Sequence, residues 1–374
     1  MSQSVSISHS GHHRIEYFDL LKGIAIFLVV MGHALVMCIR QMDAALIFKI
    51  ISEVHMPVFF FISGYFTFKV SSSGRAFASP DLWRRFRQLM IPFFIVSALF
   101  IWYYPHSHLL SPFSPDLPHL YCAYWKDGYW FTLCLFEMFL LYWPFSRLLS
   151  CLKSFWQQVL AIVIVYAVLV FLASYVSPSG NYLSSEDSNF DVVGFGLLAR
   201  FFPIFMMGVL AKSHADDFRR LCSSGIAFTV AVVLFIVAFF VTVYPWDFPS
   251  LPSWFPFVSR PFEHFGIIII AFAAVIPWSK KEYAAGEAGS SHPSVVARYF
   301  NFLGNKSLGI YLLHFFFLFP LTALQQLLKD IGLAFVPLAV IAACIAFAVI
   351  AVTLFVIYLI ERSRLLAALI IGKV

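Results

Sequence analysis

After Asp19 the chain runs for about twenty residues with hardly a polar side chain, and stretches of that kind recur along its whole length. An α-helix rises about 1.5 Å per residue, so such a stretch crosses the hydrocarbon core of a bilayer. A chain built this way has few choices. In lipid every backbone N–H and C=O must be satisfied within its own segment, so the expected fold is all-α, a polytopic bundle of membrane-spanning helices. Composition removes the soluble alternative. Of 374 residues 61% are hydrophobic and only 12% charged, and the mean hydropathy is +0.85. That is too little charge to cover the surface of a soluble domain. The net charge of +6 does not point to nucleic acid, because the basic residues fall between the apolar runs, where they set topology.

Ten candidate spans follow, at about 17–38, 46–68, 88–104, 128–145, 156–176, 192–210, 225–244, 262–278, 307–327 and 333–360. Residues 1–13 are polar, with no cleavable signal peptide, and read as a disordered cytoplasmic tail. Residues 14–361 form one transmembrane domain and 362–374 a second cytoplasmic tail. With the amino terminus inside, eighteen of the Lys and Arg residues fall on the inner side and four on the outer. Both termini are therefore expected in the cytoplasm, which fits an even number of spans in a multi-pass protein of the inner (cytoplasmic) membrane. The outer loops 105–126, 177–191 and 245–261 are rich in Pro, Ser and aromatics, which suits a sugar-binding surface and an interfacial aromatic belt equally. The six cysteines have no metal-ligand spacing and read as small apolar fillers, so no metal is expected.

The residues that lipid should not tolerate carry the functional signal. Lys22 and His33 lie eleven residues apart in the first span. They share one helical stripe, about 16 Å apart along the axis. Lys22 can snorkel to the headgroups and His33 can bond a neighbouring helix; both can equally serve a site. In the second span Glu53 and His55 flank the start of a Pro57 kink. Two imidazoles and a carboxylate converging inside a bundle suit a proton-handling site, and a buried hydrogen-bond network that only packs helices equally well. Arg84 and Arg87 stand three apart at the inner mouth of the third span, with Arg85 beside them. Their forks suit a phosphate-bearing ligand such as coenzyme A, although topology also demands positive residues there. Glu137 and Arg200, each midway along a span, are expected to pair as structural glue, and Glu263 and His264 are expected at the interface. Ser307, Tyr311 and His314 share a stripe that faces the bundle, where a polar residue more often satisfies a neighbour than does chemistry.

These segments together resemble the acyltransferase 3 family of integral membrane acyltransferases, in order and over nearly the whole chain. RIEYFDLLKGIAIFLVVMGHAL is similar to its first helix, with a basic residue, ten intervening residues and a histidine: Lys22 and His33. HMPVFFFISGYF resembles its second-helix signature, RRFRQLMIPFF its Arg-x-x-Arg element, and GYWFTLCLFEMFLL its fourth helix. RFFPIFMMGVL and LGNKSLGIYLLHFFFL are similar to the sixth and ninth. Lysine stands where many members have arginine, giving a point contact in place of a fork.

The resemblance implies transfer of an acyl group, acetyl by family default, from cytoplasmic acyl-CoA to a hydroxyl of a cell-surface or lipid-linked glycan. It implies His33 as base or acyl carrier, with Asp19, Glu53 or His55 as orienting groups. Lys22, Arg84 and Arg87 would hold the phosphates of the donor, and about 16 Å from Lys22 to His33 is of the order of a pantetheine arm. The competing class is a proton-coupled transporter or flippase of a sugar-containing substrate, which would need no acyl-CoA. An internal inverted repeat would favour it, and the sequence shows none.

Overall fold

The computed structural model describes residues 16–40, 42–68, 77–106, 128–176, 194–243, 255–287, 294–331 and 335–373. These residues form thirteen α-helices and no strand. In chain order they are α1 (Glu16–Ala34), α2 (Met42–Thr67), α3 (Ser79–His106), α4 (Trp130–Cys151) and α5 (Phe155–Val176). There follow α6 (Phe195–Ser213), α7 (Ala215–Ser223), α8 (Gly225–Val243) and α9 (Phe255–Glu287). The last four are α10 (Val295–Leu313), α11 (Thr322–Ile331), α12 (Phe335–Ile360) and α13 (Arg364–Ile371). The protein is a polytopic all-α membrane protein.

Seven of the described helices are long and apolar enough to cross a membrane, and nine if each of two sharply bent pairs is one span. The bent pairs are α7 with α8, at 81°, and α10 with α11, at 85°. The third expected span lies in α3, whose 28 residues are long enough but whose first turns carry Asp81 and three arginines. The ninth needs correction. Residues 307–327 do not make one helix: α10 continues into a 3-10 turn at His314–Phe317, then the chain bends into α11. There Leu328 packs with Leu35 and Ile39 at the end of α1 and Leu338 near the start of α12, so α11 caps that end of the bundle. Within the expected carboxy-terminal tail, residues 364–371 form α13. Ser363 caps its first turn, and it ends at Gly372 (φ +66°), where a Cβ would collide with the Gln88 carbonyl of α3. The amino-terminal tail and most of the three outer loops lie outside the described residues, and residues 255–261 of the third expected loop are the first turns of α9.

Two pairs of helices run side by side in the same direction, each pinned by glycines. In the first, Gly23 of α1 lies against the Phe300 carbonyl and Gly304 of α10 against that of Asp19. Further along, His33 meets His314, so the residue numbers climb together. In the second, Gly64 of α2 lies against Phe205 of α6 and Gly208 against Phe61, while Glu53 meets Arg200. Between apolar helices in lipid no hydrophobic force drives association, and close backbone approach through small residues supplies the packing instead. Hydroxyls inside the spans fold back on their own helices: Thr67 on the Ser63 carbonyl at 2.6 Å, Ser97 on Phe93 at 2.6 Å and Thr353 on Val349 at 2.7 Å.

Asp19, near the start of α1, touches Gly304, and two residues on Lys306 pairs at 2.5 Å with Glu361, just past α12. The start of α1 and the end of α12 therefore meet at one end of the bundle.

Candidate active site

His33 stands at the end of α1, where the helix loosens into a π-helical turn at Leu35–Ile39. Such turns are often found at functional sites. The turn ends at Arg40 (φ 52°), and its Cys38 carbonyl accepts from the Leu321 backbone N–H at 3.3 Å and the Gln325 side chain at 2.8 Å. The loosened end of α1 is thus tied to the break that follows α10.

At that break sits His314. Its ring centre is 5.3 Å from that of His33, and the Phe315 ring lies 4.6 Å from His33. His314 is wholly buried. Its Nδ1 lies 3.0 Å from the Ile310 carbonyl and 2.8 Å from that of Tyr311. Carbonyls only accept, so Nδ1 carries the proton and Nε2 of the neutral ring is left with a lone pair. No described group hydrogen-bonds that Nε2. His55 is arranged alike, with Nδ1 donating to the Ile51 carbonyl at 2.6 Å and the ring buried. Of the three imidazoles His33 is the part-exposed one.

Two reciprocal hydrogen bonds hold His314 in place. The Tyr129 hydroxyl donates to the Leu312 carbonyl at 3.1 Å, and the Tyr311 hydroxyl donates to the Gly128 carbonyl at 3.0 Å. They lock the end of α10 to the entry of α4, so the Gly-Tyr-Trp entry of the fourth span (Gly128 to Trp130) braces a histidine on another helix.

The carboxylates lie elsewhere. Asp19 is 14 residues before His33 on one helix, about 21 Å along the axis, so it cannot orient that ring. It pairs with Lys22 at 2.7 Å. Glu53 does not meet His33 either. Residues two apart on a helix point to different sides, and Glu53 leaves the face of His55 to meet Arg200 of α6 at 2.5 Å. His264 of α9 lies 3.6 Å from its other oxygen. This corrects two expectations. Arg200 pairs with Glu53 in place of Glu137, because the glycine contacts set α2 and α6 side by side. Glu263 and His264 are fully buried, because α9 begins earlier than the apolar run suggested.

At the opposite end from the π turn, Arg84 is exposed and Arg87 half-buried with its Nε unbonded among the described residues. Arg85 turns inward, its guanidinium 5.1 Å over the Phe139 ring. Lys22 is 25% exposed beside its partner Asp19.

A profile of the acyltransferase domain matches residues 15–362, which is nearly the whole chain. The chain belongs to the acyltransferase 3 family. It is thus a membrane protein with an acyltransferase domain, as its ordered motifs suggested. No curated protein and no solved structure matches it. His314 was legible as part of a bundle-facing stripe, but its neighbour His33 is supplied by a helix remote in sequence.

Proposed function

We propose that the protein transfers an acyl group, acetyl by family default, from cytoplasmic acyl-CoA to a hydroxyl of a cell-surface or lipid-linked glycan, working in the inner (cytoplasmic) membrane. The observation that supports this reading is the part-exposed His33 beside the buried Nε2 of His314, which no described group hydrogen-bonds. Ring centres 5.3 Å apart suit a shared N–H···N bond of about 2.9 Å once the His33 ring turns. His314 Nε2 then accepts a hydrogen bond from the N–H of His33, which leaves the lone pair of the other His33 nitrogen facing the substrate. That is the triad logic of a base oriented by a second group.

The chemistry balances on one imidazole. The acceptor hydroxyl attacks the thioester carbonyl as His33 takes its proton; an O–C bond forms, the C–S bond breaks, and the imidazolium returns the proton to the departing sulfur. The aromatic wall around the ring lowers the local dielectric and so strengthens each charge interaction during transfer. Lys22, Arg84 and Arg87 hold the donor's phosphates in this reading, with Asp19 steadying Lys22. Glu53 acts as structure. The test is radiolabelled acetyl-CoA given to membranes that contain the protein, with extracted envelope glycans as acceptors. Label passing into glycan supports the enzyme. Glycan movement across the membrane that is independent of any acyl-CoA would instead identify a carrier.

A further inference from the structure

At the bundle end that holds the start of α1, two helices from distant parts of the chain bring a lysine to one carboxylate. Glu361 follows α12, and its Oε1 takes the ammonium of Lys306 in α10 at 2.5 Å and that of Lys373, just past α13, at 2.7 Å. Two contacts to one oxygen hold the ammoniums no more than about 5.2 Å apart. An ammonium has three N–H groups and the shared oxygen takes one from each, so donors remain on both. The side chain of Lys306 is 21% exposed and that of Lys373 55%, so a solute reaches the pair. Topology asks for basic residues on the inner side, but not that two of them share an oxygen. Gly372 lies against the Gln88 carbonyl, which sets Lys373 beside the turn of α3 that carries Arg87. Lys306 stands two residues past Gly304, which touches Asp19, the partner of Lys22. The pair is therefore flanked by the cations of the proposed donor site.

We infer that Lys306 and Lys373 bind a phosphate monoester, the 3′-phosphate on the ribose of the coenzyme A donor. The inference rests on the acyltransferase reading above and names the part of its donor that this pair takes. Coenzyme A carries its anionic groups in two places, a pyrophosphate at the end of the pantetheine arm and a monoester on the ribose. Lys22, Arg84 and Arg87 then take the pyrophosphate. A monoester concentrates a charge of about −1.5 to −2 on one phosphorus at neutral pH and offers three acceptor oxygens. Two ammoniums held side by side with a single carboxylate between them leave a positive excess that suits such a group. Charge-assisted bonds of about 2.8 Å from two of its oxygens bridge the gap between them.

The experiment compares acyl transfer from acetyl-CoA and from its 3′-dephospho form, with the full chain in nanodiscs of zwitterionic lipid. The expected result is kcat/KM at least about tenfold higher for acetyl-CoA, the effect of one charge-assisted hydrogen bond, with Lys306→Gln and Lys373→Gln bringing the two donors close to parity. The ratio is taken within each variant, so a lower folded fraction cancels. Arg362→Gln, which removes a guanidinium lying over the Tyr358 ring, is the charge control and is expected to keep the preference. No preference in wild type, equal loss with both donors in the lysine variants, or loss of the preference in the control would overturn the inference. Calorimetric binding of adenosine 3′,5′-bisphosphate against AMP gives a second readout that needs no turnover. The bisphosphate is expected to bind more tightly by a similar factor in wild type and not in the lysine variants. Disappearance of that difference when phosphatidic acid is added to the nanodiscs would assign the lysines to lipid headgroups and overturn the inference. Preferential bisphosphate binding without transfer from either donor would leave this subsite standing while the acyltransferase reading failed.

Discussion

At the scale of the residue, His314 and Glu53 exchange the weights their positions suggest. His314→Leu keeps the bulk and removes the lone pair, and is expected to lower kcat by about 10²-fold with little change in KM. His314→Gln, which restores an acceptor near the Nε2 position, is expected to recover part of that loss; equal activity of both variants with wild type would remove His314 from the mechanism. Glu53→Ala behaves differently. It strands the Arg200 charge in the bundle, so it is expected to cost about 3–5 kcal/mol of stability while the properly folded fraction keeps its kcat, read by thermal unfolding in detergent beside activity. Lys22 and His33 were legible because one helix carries both, and eleven residues fix their stripe. The partner of His33 was not legible, because 281 residues separate it from His314 and no periodicity spans that distance.

At the scale of the element, the glycine contacts and the last helix position the site. Gly304→Val places branched carbons against the Asp19 carbonyl and is expected to cost about 1–3 kcal/mol or more, seen as a lower melting temperature and loss of transfer. The Ala change at Gly225, where a Cβ meets nothing, is the neutral comparison. The latch at the α13 end is Glu361, bridged to Lys306 at 2.5 Å and Lys373 at 2.7 Å. Partial burial pulls its pKa upward, but hydrogen bonds and charge from the two lysines outweigh that and hold it below the ordinary 4.5. A depressed carboxylate contributes stability in full above its unfolded value and loses it as the pH falls through the folded one. Protection of α13 against hydrogen exchange, taken relative to the intrinsic rate at each pH, is therefore expected to be high at neutral pH and to fall as the pH drops below about 4.5, while Glu361→Gln is poorly protected throughout. No acceleration in the variant would mean that α13 is held by its apolar face alone. Helix positions came readily from the apolar runs; the π turn, the 3-10 break and the 85° bend did not, since the apolar pattern continues across all three.

At the scale of the whole molecule, the account requires the reactive imidazole deep inside a bundle with its donor entering from the cytoplasm. The described helices place the start of α1 and the end of α12 together, and counting α3 as a crossing makes the number even. A cytoplasm-active reporter fused after Val374 is accordingly expected to be active and an exported-phase reporter silent, and the reverse would turn the bundle over. The most direct test of the central claim is acyl transfer from labelled acetyl-CoA by His33→Ala at expression equal to wild type. The account predicts a fall of at least about 10²-fold with the donor still bound. Undiminished transfer by the variant would contradict it, and would leave His33 a packing residue between α1 and the break after α10.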